Sequence, residues 1–200
     1  MSKSRQERCL QCRLIVQECI CSDITPFWTE HRLTLLTNKR EEHIHSNTGR
    51  LLRLMLENNS LIYIGENGWE EKIKEEIARS EYTPVIFFPV TPFSDGQEIV
   101  EEKGKPLNII VLDTNWSSAR RWLYKLGSME IKKIGLRTVP PSKYYLRKQP
   151  KKENLCTFQA VTSLLDELGA GNSGPATSHM NEMFALWVKS MAKERGLTFP

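Results

Sequence analysis

Along this chain, short and nearly continuous apolar runs alternate with stretches whose apolar residues recur every three to four positions. The runs Arg32–Thr37, Ser60–Ile64, Pro84–Phe88, Leu107–Leu112 and Leu136–Val139 predict strands. Their near-continuity in Leu, Ile, Val and Phe is what strands covered on both faces look like. Between them, Thr48–Glu57 presents Leu51, Leu52, Leu54 and Met55 on one broad side behind Asn47, a good N-cap. Gly68–Ser80 repeats Trp69, Ile73 and Ile77, and Ser118–Leu126 pairs Trp122 with Leu126 before Gly127. Two further helices close the chain. Thr157 is the expected cap of a stripe of Phe158, Val161, Leu164, Leu165 and Leu168 that stops at Gly169. Gly169–Pro175 is rich in loop formers. A last helix from about His179 spaces Met180, Met183, Phe184, Trp187 and Met191 as core residues. The order predicts an α/β fold, a mostly parallel sheet with helices on both faces.

Two hundred residues suit one domain with a small appendage: a cysteine-bearing element over 1–30 and the α/β body over 31–200. With 40% hydrophobic and 26% charged residues, the chain reads as neither disordered nor membrane-spanning. Its most apolar runs, Leu61–Ile64 and Val85–Val90, are too short to cross a bilayer. Met1–Arg8 is polar and basic and leads into cysteines instead of an apolar leader, so a cytoplasmic protein is expected. The formal charge is only +4, but Lys103–Glu153 holds 13 Lys/Arg against 3 Asp/Glu. Such a stretch fits either a polyanion-facing surface or a solvated face.

Four cysteines follow the spacing Cys9-x2-Cys12-x6-Cys19-x-Cys21. In a reducing compartment that density favours a metal over disulfides, and four thiolates suffice for tetrahedral Zn2+. Cys19 and Cys21 would point to opposite sides of a straight strand, so they share a metal only if Ile20 lies in a turn. Buried free thiols, a redox pair or an iron–sulfur cluster are the alternatives. Cys156 stands alone as a small buried hydrophobe.

Three polar clusters fall just beyond strand ends, where α/β proteins place ligands. Asn47-Thr48-Gly49-Arg50 opens a helix; its free donors can hold a carboxylate, or it is ordinary capping with a surface arginine. Leu112-Asp113-Thr114-Asn115-Trp116 runs from an apolar strand into an acid and a tryptophan, followed by Arg120 and Arg121. Asp113 can act on a ligand or merely cap the next helix, and Trp116 can wall a pocket or stack on a base. Pro140–Lys148 interleaves Tyr144 and Tyr145 with Lys143, Arg147 and Lys148, a pattern suited to RNA. Dinucleotide, phosphate-loop, zincin and serine-hydrolase motifs are missing from the sequence.

In this order, the segments resemble the DTW-domain family, the tRNA-uridine aminocarboxypropyltransferases. The likeness covers roughly Arg8 to Leu168. It rests on the cysteine cluster, Asn47-Thr48-Gly49-Arg50, Phe88-Pro89, and Asp113 with Trp116 in the Asp-x-Thr-Trp signature. Pro141-Ser142-Lys143-Tyr144, Leu146-Arg147-Lys148 and Thr157 with Ala160 continue it. Asn115, Cys156 and Gln159 stand where the family tends to have threonine, serine and glutamate. The resemblance implies transfer of a 3-amino-3-carboxypropyl group from S-adenosylmethionine to N3 of a tRNA uridine, releasing 5′-methylthioadenosine. It also implies a SPOUT-like fold, knotted in its C-terminal part. The expected site is then Asp113 and Trp116 for chemistry, with Asn47, Thr48, Gly49, Arg50, Phe88, Pro89, Leu112, Tyr144 and Thr157 around the cofactor. Structural zinc goes to Cys9, Cys12, Cys19 and Cys21, and tRNA phosphates to Arg120, Arg121, Lys143, Arg147 and Lys148.

Aiming a methylene at N3 demands in-line positioning, with the helix start at Thr48–Arg50 expected to anchor the methionine carboxylate. Asp113 is expected to accept the N3 proton or to orient the imide. The rival readings are a SPOUT-like RNA methyltransferase and a non-enzymatic zinc-bearing RNA-binding module. Monomer and homodimer are both open.

Overall fold

The computed structural model describes residues 6–89, 104–126, 129, 131–147, 154–169 and 174–197. Five strands form one sheet: β1 (Arg32–Thr37), β2 (Asn59–Tyr63), β3 (Thr83–Phe87), β4 (Leu107–Asp113) and β5 (Lys132–Ile134). They lie in the order β2-β1-β4-β3-β5, and every pairing is parallel. β4 sits in the middle and is buried at all seven positions, which explains the unbroken apolar run.

The helices are α1 (Lys39–His43), α2 (Gly49–Met55), α3 (Trp69–Ile77), α4 (Trp116–Leu126), α5 (Thr157–Leu168) and α6 (Gly174–Glu194). Alternate strand residues feed two cores. Leu33, Leu35, Val85, Phe87, Ile109 and Val111 face α2, α5 and α6. Leu36, Ile86, Ile110 and Leu112 face α3 and α4. Helices therefore cover both faces. Phe158 of α5 stacks on Phe184 of α6 with centroids 4.7 Å apart, locking the last two helices together.

The connection leaving β1 runs through α2 to β2 on one side, and the connection leaving β4 runs through α4 to β5 on the other. Between the carboxyl ends of β1 and β4 the chain therefore diverges, which opens the crevice where parallel α/β sheets take their ligands.

The sequence reading needs correction at five points. The fifth strand is Lys132–Ile134, not Leu136–Val139. Only Ile134 of it is buried, because a three-residue edge strand needs little apolar content. Leu136 is buried without joining the ladder, since the chain turns away toward Pro140 and Pro141. The α5 cap position belongs to Cys156, one residue before Thr157. α6 begins at Gly174, so Gly174 and Pro175 are helical and not loop; proline is well tolerated in a first turn. α1 was not anticipated at all. α4 also starts two residues early, at Trp116, with Asn115 Oδ1 accepting from the Ser118 amide at 3.0 Å. Among the described residues, no helix is long and apolar enough to cross a membrane.

Candidate functional site

The crevice between β1 and β4 is a cavity of about 280 Å3. Its floor is the end of β4, and Asp113 is its centre. Asn47 Nδ2 donates to Asp113 Oδ2 at 2.8 Å, and Thr157 Oγ1 donates to Oδ1 at 2.8 Å. The Thr37 hydroxyl donates to the Asp113 carbonyl at 2.8 Å. One acidic residue thus joins the segment after β1, the end of β4 and the start of α5. Burial pushes its carboxyl above the usual aspartate range; the bonds from Asn47 and Thr157 oppose that shift and nearby Glu41 adds to it.

Gly49 makes this arrangement possible. A Cβ there would lie 2.3 Å from Asp113 Oδ2 and 2.4 Å from the carboxyl carbon. The α2 start thus already carries the protein's own carboxylate. Two of its backbone donors are also committed, Arg50 N to Asn47 Oδ1 at 3.1 Å and Leu51 N to the Thr48 carbonyl at 3.2 Å.

The expected residues separate into groups. Asn47, Thr48, Phe88, Pro89, Leu112, Asp113, Trp116, Tyr144 and Thr157 all line the cavity. Phe88 and Trp116 meet edge-to-face at 5.3 Å, forming an aromatic wall. Tyr144 is buried and donates to the Ser46 carbonyl at 2.6 Å, and burial raises its phenol to about 12. Gly49 and Arg50 stand behind the lining. The Arg50 guanidinium donates to the carbonyls of Leu10 (3.4 Å), Gln11 (3.3 Å) and Glu42. Arg120, Arg121 and Lys143 are exposed outside the cavity, and Lys148 lies outside the described residues. Arg147 instead turns into the cavity wall, bonded to Ser46 and Glu41. Gln159 lines a separate depression with Ser142 and Lys143, accepting from the Ser142 hydroxyl at 3.2 Å. Sequence reasoning missed Glu41 and Ser46. The signal for Glu41 was present: Asn38 Oδ1 caps α1 by accepting from the Glu41 amide at 3.0 Å, the Asn-x-x-Glu spacing of a helix start.

Beside the cavity, the four cysteine sulfurs all lie within 4.8 Å of one another. Cys9–Cys21 and Cys12–Cys19 are each 3.7 Å apart, too far for disulfides. Sulfurs about 2.3 Å from a tetrahedral ion lie about 3.8 Å from each other, so this cluster can hold Zn2+. Ile20 opens a turn closed by Asp23 N to the Ile20 carbonyl at 3.0 Å, which lets Cys19 and Cys21 converge. The element is pinned to α6: Trp187 Nε1 donates to the Cys12 carbonyl at 2.8 Å, and Arg8 pairs with Glu194 at 2.8 Å. Cys12, Leu14 and Ile20 enter the same core as α5 and α6.

The fold and site define a class: a parallel α/β protein with a ligand cleft at the divergence of its strands and a four-thiolate element packed behind it. The chain belongs to the DTW domain family, whose model matches residues 6–192. It is similar to tRNA-uridine aminocarboxypropyltransferase 2 of Macaca fascicularis and to the protein of that name in Mus musculus. Each is 26% identical over 175 residues, covering 84% of this chain and 58% of the relative. The chain thus spans somewhat under three fifths of the length of these curated relatives. No solved structure matches it.

Two outcomes are expected. Gly49→Ala should cost about 1–3 kcal/mol in a urea titration, because its Cβ overlaps the Asp113 carboxylate; wild-type stability would contradict that packing. The purified protein should carry zinc at one ion per chain by elemental analysis, and a strong chelator should lower its unfolding midpoint.

Proposed function

We propose that the chain transfers the 3-amino-3-carboxypropyl group of S-adenosylmethionine to N3 of a uridine in tRNA, releasing 5′-methylthioadenosine. The observation that carries this reading is the buried Asp113 carboxylate at the centre of the crevice, flanked by the Phe88–Trp116 wall. Family membership and the name of the two relatives support the same chemistry. The cavity suits this co-substrate by charge. Among the described residues its charged lining consists of Glu41, Asp113 and Arg147, a net negative set facing a sulfonium-bearing molecule that is cationic overall.

When bound, S-adenosylmethionine supplies an electrophilic methylene beside a sulfonium, so that an N3–C bond forms as a C–S bond breaks. The protein's part is placement and proton handling. Asp113 accepts the N3 proton of the uridine. Its desolvated carboxyl is a stronger base than an exposed one, which narrows the gap to a weakly acidic imide. Asn47 and Thr157 hold that carboxylate in one orientation. Phe88, Pro89 and Leu112 give an apolar surface to the adenine, while the partly exposed Trp116 meets the uridine at the mouth. Thr48 and Tyr144 close the remaining wall. N3 lies on the pairing edge, so the target base must be unpaired or turned out. Arg120, Arg121 and Lys143 offer an exposed basic surface to the RNA backbone, with Lys148 assigned to it by sequence alone. The SPOUT-like, knotted topology belongs to this reading as well, and Zn2+ has a structural role in it, since four protein ligands leave no open position.

Mass spectrometry of tRNA incubated with the protein and S-adenosylmethionine should find a uridine heavier by an aminocarboxypropyl group. Addition of a methyl group alone would make the protein a methyltransferase, and RNA binding without product would leave a binding module. Asp113→Asn should lower turnover at least about a hundredfold while S-adenosylmethionine still binds; near-normal turnover removes Asp113 from the chemistry. Neutralising Arg120 or Arg121 should lower the salt slope of tRNA binding by about one unit each, and unchanged slopes in both would rule out this face.

A further inference from the structure

The cavity contains a charged pair that the reaction as described leaves unused. The Asn38-capped α1 turns Glu41 inward, with only 8% of its side chain exposed. Arg147 comes from the irregular run after β5 on the other wall. Its Nη1 donates to Glu41 Oε2 at 3.1 Å, and its Nε donates to Ser46 Oγ at 3.1 Å. The pair leaves one donor unmet. Arg147 Nη2 is buried with no hydrogen-bond partner among the described residues. Glu41 accepts this bond through Oε2. An unpaired buried donor is costly, so the Arg147 end of the pair is open to a ligand that brings an acceptor.

We propose that Glu41 and Arg147 together read the amino-acid end of S-adenosylmethionine, Arg147 donating to its carboxylate and Glu41 accepting from its ammonium. This inference rests on the function proposed above and names the groups that recognise the transferred moiety. Three observations carry it. The start of α2 is disfavoured as the holder of the ligand's carboxylate, because the Asp113 carboxylate stands over Gly49 and two of its amides, those of Arg50 and Leu51, are taken. Arg147 is the one cation among the described lining residues, and a guanidinium is shaped to meet a carboxylate. Glu41 and Asp113 outnumber it, so the lining is anionic by one charge when all three are ionised, the complement of a ligand with two cationic groups and one anionic group.

The basic stretch after β5 thereby divides its labour: Lys143 faces solvent while Arg147 faces the cavity. The charges read by the pair leave with the product RNA, and the remaining thioether is neutral. The pair therefore grips the substrate and not the by-product, which favours release after transfer.

Isothermal titration calorimetry of the full chain with S-adenosylmethionine, S-adenosylhomocysteine and 5′-methylthioadenosine tests this. Homocysteine and methionine derivatives both carry the amino-acid end, and methylthioadenosine lacks it. Glu41→Gln and Arg147→Gln should each weaken the first two ligands at least about tenfold and change methylthioadenosine binding less than about twofold. Ligand-free unfolding midpoints should stay near wild type. Equal weakening of all three ligands, no weakening at all, or a collapsed midpoint in both variants would overturn the pair's role. Wild-type binding of S-adenosylmethionine that persists with unaltered affinity in both variants defeats the pair alone; wild-type protein that binds none of the three defeats the proposed function and the pair with it.

Discussion

A carboxylate removed from water is costly unless donors meet it, and here that requirement organises the molecule around Asp113. Asn47 reaches it from the segment after β1, Thr157 from the start of α5, and Thr37 secures its carbonyl from the neighbouring strand. These contacts close one wall of the crevice that the diverging connections open. Leaving any of the donors without its acceptor would strand a buried polar group. The site is thus a condition of how the C-terminal helices dock on the sheet, as well as a place for chemistry.

The second organising contact is Arg50. Buried in α2, it spends its guanidinium on carbonyls of the cysteine element and of Glu42. Burial lowers its pKa, and the nearby Arg13 and Arg53 add to that; the carbonyls supply the acceptors that such a charge needs. Trp187 and Glu194 hold the same element from α6. The thiol cluster is consequently part of the main core and braces the back of the cavity wall, although its sequence looks like a separable appendage.

Much of this was legible in the sequence. Four of five strands and the parallel α/β class followed from runs of apolar residues, because strands buried on both faces leave that trace. The short edge strand Lys132–Ile134 did not, since a strand with one buried position has no pattern to read. Motif order placed Asp113, Asn47 and Trp116 just beyond strand ends and Thr157 at a helix start, and the structure brings all four to one cavity. Direction was not legible. Thr157 looked like a helix cap and instead turns its hydroxyl to Asp113. Arg50 looked like a ligand anchor and faces backward, while Arg147, grouped with surface bases by local charge, faces inward. Charge and spacing tell what a segment contains; only packing tells which way a long side chain is turned.

The contact between Gly49 and Asp113 has a bearing on how this chain can change. The space that a side chain at position 49 would fill is occupied by a carboxyl group borrowed from a strand more than sixty positions away in the sequence. In steric terms the two positions share one volume. A larger residue at 49 becomes admissible only when the group at 113 shrinks, and the crevice then loses its acid. Drift at an inconspicuous helix start is therefore tied to the fate of the central acid, and neither position is at liberty to vary by itself.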